Sequence, residues 1–118
     1  MNTILIVDDH AGFRVHARAL LEADGFSVIG EASDGASCLR DARTLLPDIV
    51  LLDIGLPDIE GFEVARRLAL GDTPPVVVLT SSRQADEYTD RVQRSGVLGF
   101  IPKEELSGSA IRAFFDSV

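Results

Sequence analysis

Acidic, hydroxyl and amine side chains stand at the ends of the apolar segments of this sequence. TILIV (3–7) runs into Asp8 and Asp9, IVLLD (49–53) ends in Asp53, VVVLT (76–80) ends in Thr80, and GFIP (99–102) leads to Lys103. Adjacent carboxylates after an apolar segment repel each other unless a proton or a cation offsets their charge. The position of these five residues therefore requires a chemical explanation.

The apolar segments alternate with segments of helical periodicity, which predicts five strands and five helices. The predicted strands are 3–7, 27–32, 49–53, 76–80 and 99–102. The first, third and fourth are apolar throughout, as expected for strands that are covered on both faces. The alternation favours a parallel, doubly wound α/β sheet, although the pattern alone does not give the strand order.

Apolar residues spaced three and four apart mark the helices. They are Phe13, Ala17, Leu20 and Leu21; Leu39, Ala42 and Leu46; Ala65 and Leu68; Tyr88 and Val92; and Leu106, Ala110, Ala113 and Phe114. Gly25, Pro47 and Gly71 predict the ends of the first three. The fourth helix has few apolar anchors among polar residues that include Asp86 and Glu87, so we expect it to be an element of low stability that can move.

The carboxyl ends of parallel strands lie at one edge of the sheet, where doubly wound folds bind their ligands. The three aspartates are therefore predicted to converge there with Thr80 and Lys103. Alone, each residue has an ordinary explanation, such as a helix cap or a surface charge. Together they suit Mg²⁺, which binds a few carboxylates and a phosphate, with Asp53 as a nucleophile that forms an acyl phosphate. The predicted chemistry is phosphoryl transfer, which needs mainly positioning and charge neutralisation.

Composition excludes several classes of protein. The 118 residues suit one domain, and the net charge of −8 argues against binding of nucleic acid by this domain. The single cysteine, Cys38, allows no internal disulfide, and we expect it to pack in a helix. The apolar segments are too short to cross a membrane and the N-terminus lacks a signal-peptide pattern, so we expect a cytoplasmic protein that does not contact the membrane.

Four motifs in this order resemble the receiver domains of two-component response regulators. They are ILIVDDH (4–10), PDIVLLDIGLPDIEG (47–61), VVVLTSS (76–82) and GFIPK (99–103), and the resemblance extends over nearly the whole chain. It implies a flavodoxin-like, three-layer sandwich with five parallel strands in the order 2-1-3-4-5. It also implies a single receiver domain over residues 1–118, either alone or as the N-terminal part of a longer regulator.

The resemblance implies a role for each site residue. Asp53 would be the phosphoacceptor and a metal ligand. Asp9 would bind Mg²⁺ directly, Asp8 directly or through water, and the carbonyl of Gly55 would be a further ligand. Lys103 would pair with the phosphoryl group, Thr80 would donate a hydrogen bond to it, and Phe100 would be the aromatic residue that moves with Thr80. Pro57 and Gly61 match the turn into the third helix, where glycine would adopt backbone angles that other residues avoid.

The same resemblance implies the function. A sensor histidine kinase or a phosphotransfer protein would supply the phosphoryl group, with Mg²⁺ as cofactor. The domain would catalyse its own phosphorylation and dephosphorylation without turning over an outside substrate. Phosphorylation would switch its conformation, form a homodimer and control an output such as transcription.

The sequence departs from the family pattern after the site lysine, where many members have a proline in a cis bond. Here Glu104 follows, and we expect a trans bond because a cis bond to a non-proline residue costs about 3 kcal/mol. His10 and His16 receive no role.

Three other classes remain open. An aspartate-based phosphatase usually has two acids separated by one residue after the first strand, whereas Asp8 and Asp9 are adjacent. A flavin-binding protein of this fold needs a phosphate-binding loop at that point, and the acids would repel a phosphate. An interaction domain that is never phosphorylated would be expected to lack an acid or the lysine.

Overall fold

Five parallel strands form one sheet in the order β2-β1-β3-β4-β5, as the resemblance implied. The computed structural model describes residues 2–82 and 88–116. The strands are β1 (Thr3–Val7), β2 (Ser27–Ala32), β3 (Ile49–Asp53), β4 (Val76–Ser81) and β5 (Gly99–Pro102). The helices are α1 (Ala11–Ala23), α2 (Gly35–Leu45), α3 (Gly61–Ala69), α4 (Thr89–Ser95) and α5 (Gly108–Asp116), with a 3₁₀ turn (Lys103–Glu105) before α5.

The central strands alternate their side chains between two apolar cores. Leu5, Val50 and Leu79 point to one face and pack with residues of α2 and α3, while Ile4, Leu51 and Val78 point to the other and pack with α1 and α5. Both faces of these strands are thus buried, which confirms the three-layer arrangement and explains why their sequences are apolar throughout. In the described part of the chain, no helix is long and apolar enough to span a membrane.

The first helix ends as predicted. Gly25 has a positive φ of 93° and donates to the carbonyl of Glu22, and Phe26 donates to that of Leu21. This pair of hydrogen bonds is the Schellman arrangement, in which glycine adopts the left-handed conformation without a steric cost. The chain therefore turns sharply from α1 into β2.

Two apolar stripes differ from the prediction. Leu46 is not part of the buried face of α2, because it follows the last helical residue in a left-handed conformation (φ 50°) and is 58% exposed. In α5, Ala113 is exposed and Ile111 is buried, while Leu106 lies before the helix and is buried there. Spacing alone does not show where the chain leaves helical geometry.

The fourth helix has few buried contacts, as the sequence predicted, and its mobility stays a prediction. None of the α4 side chains that the structure describes is fully buried, and Tyr88 and Val92 are the partly buried apolar contacts with the core. By contrast, α3 buries Gly61, Phe62, Val64, Ala65 and Leu68. Asp86 and Glu87, which the pattern placed near α4, lie outside the described residues.

The loop after β3 is tied to α2 by one carboxylate. Asp58 Oδ1 accepts from the backbone N–H of Gly35 at 2.7 Å, and Oδ2 accepts from that of Ala36 at 2.9 Å. These N–H groups lie at the N-terminus of α2, where they have no partner within the helix. The hydrogen bonds that Asp58 accepts hold its pKa below the usual range. The segment that follows Asp53 is thereby fixed against a neighbouring helix.

Gly61 is required for a reason other than the predicted one. Its φ is not positive, so the residue does not use the conformational freedom of glycine. Instead, a Cβ at this position would lie 2.5 Å from the carbonyl oxygen of Asp53 and 2.7 Å from Cα of Ile54. Only glycine therefore lets the start of α3 approach the end of β3 this closely.

We expect Gly61→Ala to lower the free energy of unfolding by roughly 1–3 kcal/mol, because backbone atoms must move to accept the new methyl group. Gly12→Ala is the matched control, since a Cβ there has no atom within 4 Å in the described structure. This control should be neutral or stabilising by up to about 1 kcal/mol in α1. Urea unfolding of the two variants measures the difference, and equal stabilities would contradict the close approach.

Candidate functional site

The carboxylates that follow β1 and end β3 lie together, as the sequence predicted. Asp8, Asp9, His10 and Asp53 each offer one oxygen or nitrogen atom, and these atoms all lie within 4.8 Å of one another. Asp8 and Asp53 are buried, whereas Asp9 is exposed. The sheet register produces this meeting, because β1 and β3 are adjacent parallel strands that end at the same edge.

Lys103 is the cation of this edge. Its Nζ lies 2.6 Å from Oδ2 of Asp8 and 3.7 Å from Oδ2 of Asp53, and the side chain is only 15% exposed. Lys103 is also the only lysine of the sequence, since the other ten basic residues are arginines. A compact ammonium with three donors thus stands where two buried carboxylates need a positive charge.

The negative charge of Asp53 is unfavourable in its buried position. Burial raises its pKa above the usual range, and the nearby charge of Asp8 adds to the effect. The backbone N–H of Gly55, which donates to Oδ1 of Asp53 at 3.2 Å, and the ammonium of Lys103 act in the opposite direction. The Asp53 carboxylate is therefore a desolvated anion without a close counter-charge of its own.

His10 contacts the acids, although no pattern in the sequence assigns it a role. Its backbone N–H donates to Oδ1 of Asp8 at 2.8 Å, and its Nδ1 lies 3.2 Å from that oxygen and 3.1 Å from Oδ1 of Asp9. The ring is 70% exposed. The only signal for this contact in the sequence is that His10 directly follows the two acids.

Thr80 lies beside Asp53 on the neighbouring strand. The two residues are paired in the register of β3 and β4, and Thr80 is 1% exposed. Its Oγ1 has no hydrogen-bond partner within the described chain. A buried hydroxyl without a partner costs about 1–3 kcal/mol, so this atom is available to a group that is not part of the fold. The strand continues one residue beyond Thr80, to Ser81, in contrast to the predicted end.

Three tilted aromatic rings connect β5 to α3. The ring of Tyr88 lies 6.0 Å from that of Phe100 and 6.1 Å from that of Phe62. The Arg91 guanidinium lies over the Phe62 ring, 4.1 Å from its centroid, and also pairs with the Glu60 carboxylate. Phe100 is half-buried. The predicted mobile aromatic residue, Phe100, thus has an aromatic neighbour, Tyr88, just before α4.

A cleft of about 500 Å³ lies at this edge of the sheet, and its walls include His10, Asp53, Gly55, Ser82, Tyr88 and Lys103. A larger groove of about 680 Å³ lies between α2 and α3 and is lined by leucines and arginines such as Leu46, Arg43 and Leu70. Size does not decide between them. Only the smaller cleft contains Asp53 and Lys103 among its lining residues, so we take it as the functional site.

Comparison with known proteins identifies the family. Residues 4–113 match the model of the response regulator receiver domain. The chain belongs to this family. This receiver domain is 38% identical over 112 residues to the Bordetella pertussis virulence-factor transcription regulator BvgA, covering 95% of the chain and 54% of BvgA. It is 36% identical to the Pseudomonas aeruginosa response regulator GacA over 120 residues, covering 98% and 56% of the two chains.

The solved structures agree with the family. The signal receiver domain of NarL from Mycobacterium tuberculosis aligns with a TM-score of 0.84 at 31% identity, covering 98% of this chain and 94% of that one. The receiver domain spans about half the length of the BvgA and GacA chains that it matches. The chain is thus a signalling domain of the two-component type. Neither the phosphatase class nor the flavin-binding class is needed to explain the acidic residues at the edge of its sheet.

The residues of the receiver domain fit a divalent cation such as Mg²⁺. Carboxylate oxygens from Asp8, Asp9 and Asp53 lie within one small cluster, and Mg²⁺ binds to one or two carboxylates while it keeps several waters. The backbone of Gly55 lies next to this cluster through its hydrogen bond to Asp53. Coordination by the Gly55 carbonyl and direct coordination by Asp9 stay predictions.

We expect Asp53→Asn to raise the free energy of unfolding at neutral pH in the absence of divalent cations. The increase should exceed about 0.5 kcal/mol, which is the usual limit for the effect of a surface substitution. The raised pKa means that the folded state holds the Asp53 proton more tightly than the unfolded chain does. Its contribution to stability is therefore complete below the ordinary carboxyl pKa and is lost as the pH rises through the raised pKa.

Thermal unfolding between pH 4 and 8 with a chelator measures this effect, and Asp8→Asn is the matched control. Asp8 is paired with Lys103, so its substitution removes an ion pair together with a charge and should not stabilise the domain to the same extent. A stability of Asp53→Asn that follows the wild type at every pH would contradict the interpretation of the buried charge.

Proposed function

We propose that this receiver domain accepts a phosphoryl group on Asp53 from the phosphohistidine of a sensor histidine kinase or of a phosphotransfer protein. The observation that carries the proposal is the surroundings of the Asp53 carboxylate. It is buried at the edge of the sheet, 3.7 Å from the only lysine and paired in register with Thr80, whose hydroxyl has no partner in the described chain.

The chemistry follows from these surroundings. An oxygen of the ionised Asp53 attacks phosphorus, the bond from phosphorus to the donor nitrogen breaks, and the leaving imidazole keeps the electron pair and takes up a proton. Burial makes the Asp53 carboxylate poorly solvated, so fewer water contacts must be lost before it attacks. Asp8, Asp9 and Asp53 would hold Mg²⁺, which when bound would neutralise charge on the phosphoryl oxygens.

Lys103 changes its partner in this proposal. In the structure its ammonium lies closer to Asp8 than to Asp53. A phosphoryl group on Asp53 would add nearly two negative charges next to the lysine. The ammonium would then move from Asp8 to a phosphoryl oxygen, a displacement that its flexible four-carbon stem allows.

Thr80 would couple the phosphoryl group on Asp53 to a change at the surface of the domain. Its unpaired hydroxyl would donate to a phosphoryl oxygen and draw the end of β4 toward Asp53. Phe100, on the next strand, would fill the space that Thr80 leaves, and Tyr88 would follow because its ring packs on Phe100. The partly buried α4 then shifts at low cost, which makes the surface of α4 and β5 the part of the domain that responds.

The same proposal extends to the whole protein. We propose one receiver domain over residues 1–118 that catalyses its own phosphorylation and dephosphorylation, turns over no outside substrate and works in the cytoplasm. Transcription is the proposed output, since BvgA is named as a transcription regulator and extends to about twice the length matched. Homodimer formation on phosphorylation remains a prediction. The alternative is an interaction domain of the same fold that is never phosphorylated.

Incubation with Mg²⁺ and a small phosphodonor such as acetyl phosphate should add one phosphoryl group, which intact-protein mass spectrometry detects as a single mass increment. Asp53→Asn should abolish it because the amide is a poor nucleophile. Asp9→Asn should slow it through weaker Mg²⁺ binding, and added chelator should reproduce that effect in the wild type. Labelling that is unchanged in Asp53→Asn would place the phosphoacceptor elsewhere and support the interaction-domain alternative.

Thr80→Val should separate phosphorylation from the switch. The variant keeps the shape of the side chain and removes a buried hydroxyl without a partner, so its free energy of unfolding should equal or exceed that of the wild type. It should still accept a phosphoryl group on Asp53. The amide NMR signals of residues 88–101 should move on phosphorylation of the wild type and stay largely in place in the variant. Equal movement in both would show that the switch uses another residue.

A further inference from the structure

The ammonium of Lys103 also has an aromatic neighbour, Phe13. Nζ lies 4.7 Å from the centroid of the Phe13 ring, a distance at which the ring attracts a cation. Phe13 is half-buried in α1 and packs against the apolar core that α1 and α5 share. Because Lys103 is only 15% exposed, little water competes for this contact. The ammonium thus contacts the Phe13 ring in addition to the Asp8 and Asp53 carboxylates.

The two contacts respond differently to a cation bound by the acids. Asp8 is both the closest partner of Lys103 and a member of the acid cluster, so a divalent cation at that cluster competes with the ammonium for the same charge. The Phe13 ring is neutral and binds no hard cation of this kind, so its attraction for the ammonium persists. The ring is therefore the contact that lies outside the acid cluster, whereas Asp8 and Asp53 both belong to it.

The chain around Lys103 increases the need for such a contact. Glu104 and Glu105 follow it in the 3₁₀ turn, and both are exposed. An ammonium released by Asp8 has a flexible stem and two carboxylates close in sequence on the solvent side. The attraction of the Phe13 ring favours the observed position of the ammonium over that alternative.

We propose that Phe13 is a positioning residue for Lys103: its ring keeps the ammonium beside Asp53 when a divalent cation engages Asp8. This inference rests on the proposed function for its consequence, but the contact itself exists without phosphorylation. Phe13 does not touch the reacting atoms. It acts through Lys103, and its loss should lower the fraction of molecules whose ammonium is ready to meet the phosphoryl group.

The contact is testable by NMR because the sequence has one lysine. Protein labelled with ¹³C,¹⁵N-lysine gives a single set of lysine side-chain signals. Ring currents should move the Cε protons of Lys103 upfield from the values of a solvated lysine, and this shift should persist on addition of Mg²⁺. Phe13→Leu should remove the shift and Phe13→Tyr should restore it. Cε protons at solvated values in the wild type would overturn the proposal, and this reading needs no variant.

The consequence is measured as the rate of phosphorylation by acetyl phosphate at saturating Mg²⁺. Phe13→Leu should slow the reaction by about two- to tenfold, the range that a cation–π contact supports, and Phe13→Tyr should restore most of the rate. Urea unfolding of both variants shows whether either substitution lowers the stability of the domain. A loss of stability alone would leave the lysine signals of the folded molecules unchanged. Equal rates in Phe13→Leu and the wild type, or equal slowing by Leu and Tyr, would overturn the positioning role.

The two proposals fail separately. If Asp53 accepts no phosphoryl group in the wild type, the proposed function is wrong, while the shifted lysine signals still report the ring contact. If phosphorylation proceeds and depends on Asp53 but the lysine signals are those of a solvated side chain, the function stands and the role of Phe13 falls.

Discussion

The burial of negative charge at one edge of the sheet is the constraint on which the rest of this structure depends. Asp8 and Asp53 lie in a region where the strands are covered on both faces, and one ammonium is shared between them. Charges of the same sign in such surroundings are costly unless they are paired. The fold tolerates this arrangement because its apolar cores on both faces of the sheet are extensive. The negative charge of the site nevertheless remains only partly compensated.

This uncompensated negative charge connects the separate features of the site. The pKa of Asp53 is raised, Thr80 has a hydroxyl without a partner in the described chain, and Lys103 lies nearer to the other acid. Each is an unfavourable or unfinished interaction in the domain as described. A phosphoryl group with its cation would satisfy all of them together, which is why the binding of a small charged group can be coupled to a change in β4, β5 and α4.

Much of the architecture and of the site could be predicted from the sequence because both depend on strands. Apolar strands fix their own register, and the residue that ends a parallel strand must lie at the shared edge, so the meeting of Asp8, Asp53 and Lys103 required no knowledge of side-chain contacts. The strand order could not be derived in this way. Its prediction came from the resemblance to a family and not from the pattern.

The features that the sequence did not reveal depend on geometry between distant segments. Asp58 caps a helix more than twenty residues away, and Gly61 is needed because it approaches a carbonyl, which no periodicity records. The predicted buried position of Leu46 was wrong because a left-handed residue leaves the helix without any change in the spacing of apolar residues.

The presence of a single lysine has a practical and a biological consequence for the domain. With arginine at the other ten basic positions, Lys103 is the one side-chain amine that acylating or cross-linking reagents can modify. Acylation of its Nζ would remove the positive charge and leave Asp8 and Asp53 without their cation. Acylation that reaches Lys103, by an amine-directed reagent or by an acetyl donor in the cell, would therefore act on the centre of the site and leave the arginine side chains unmodified.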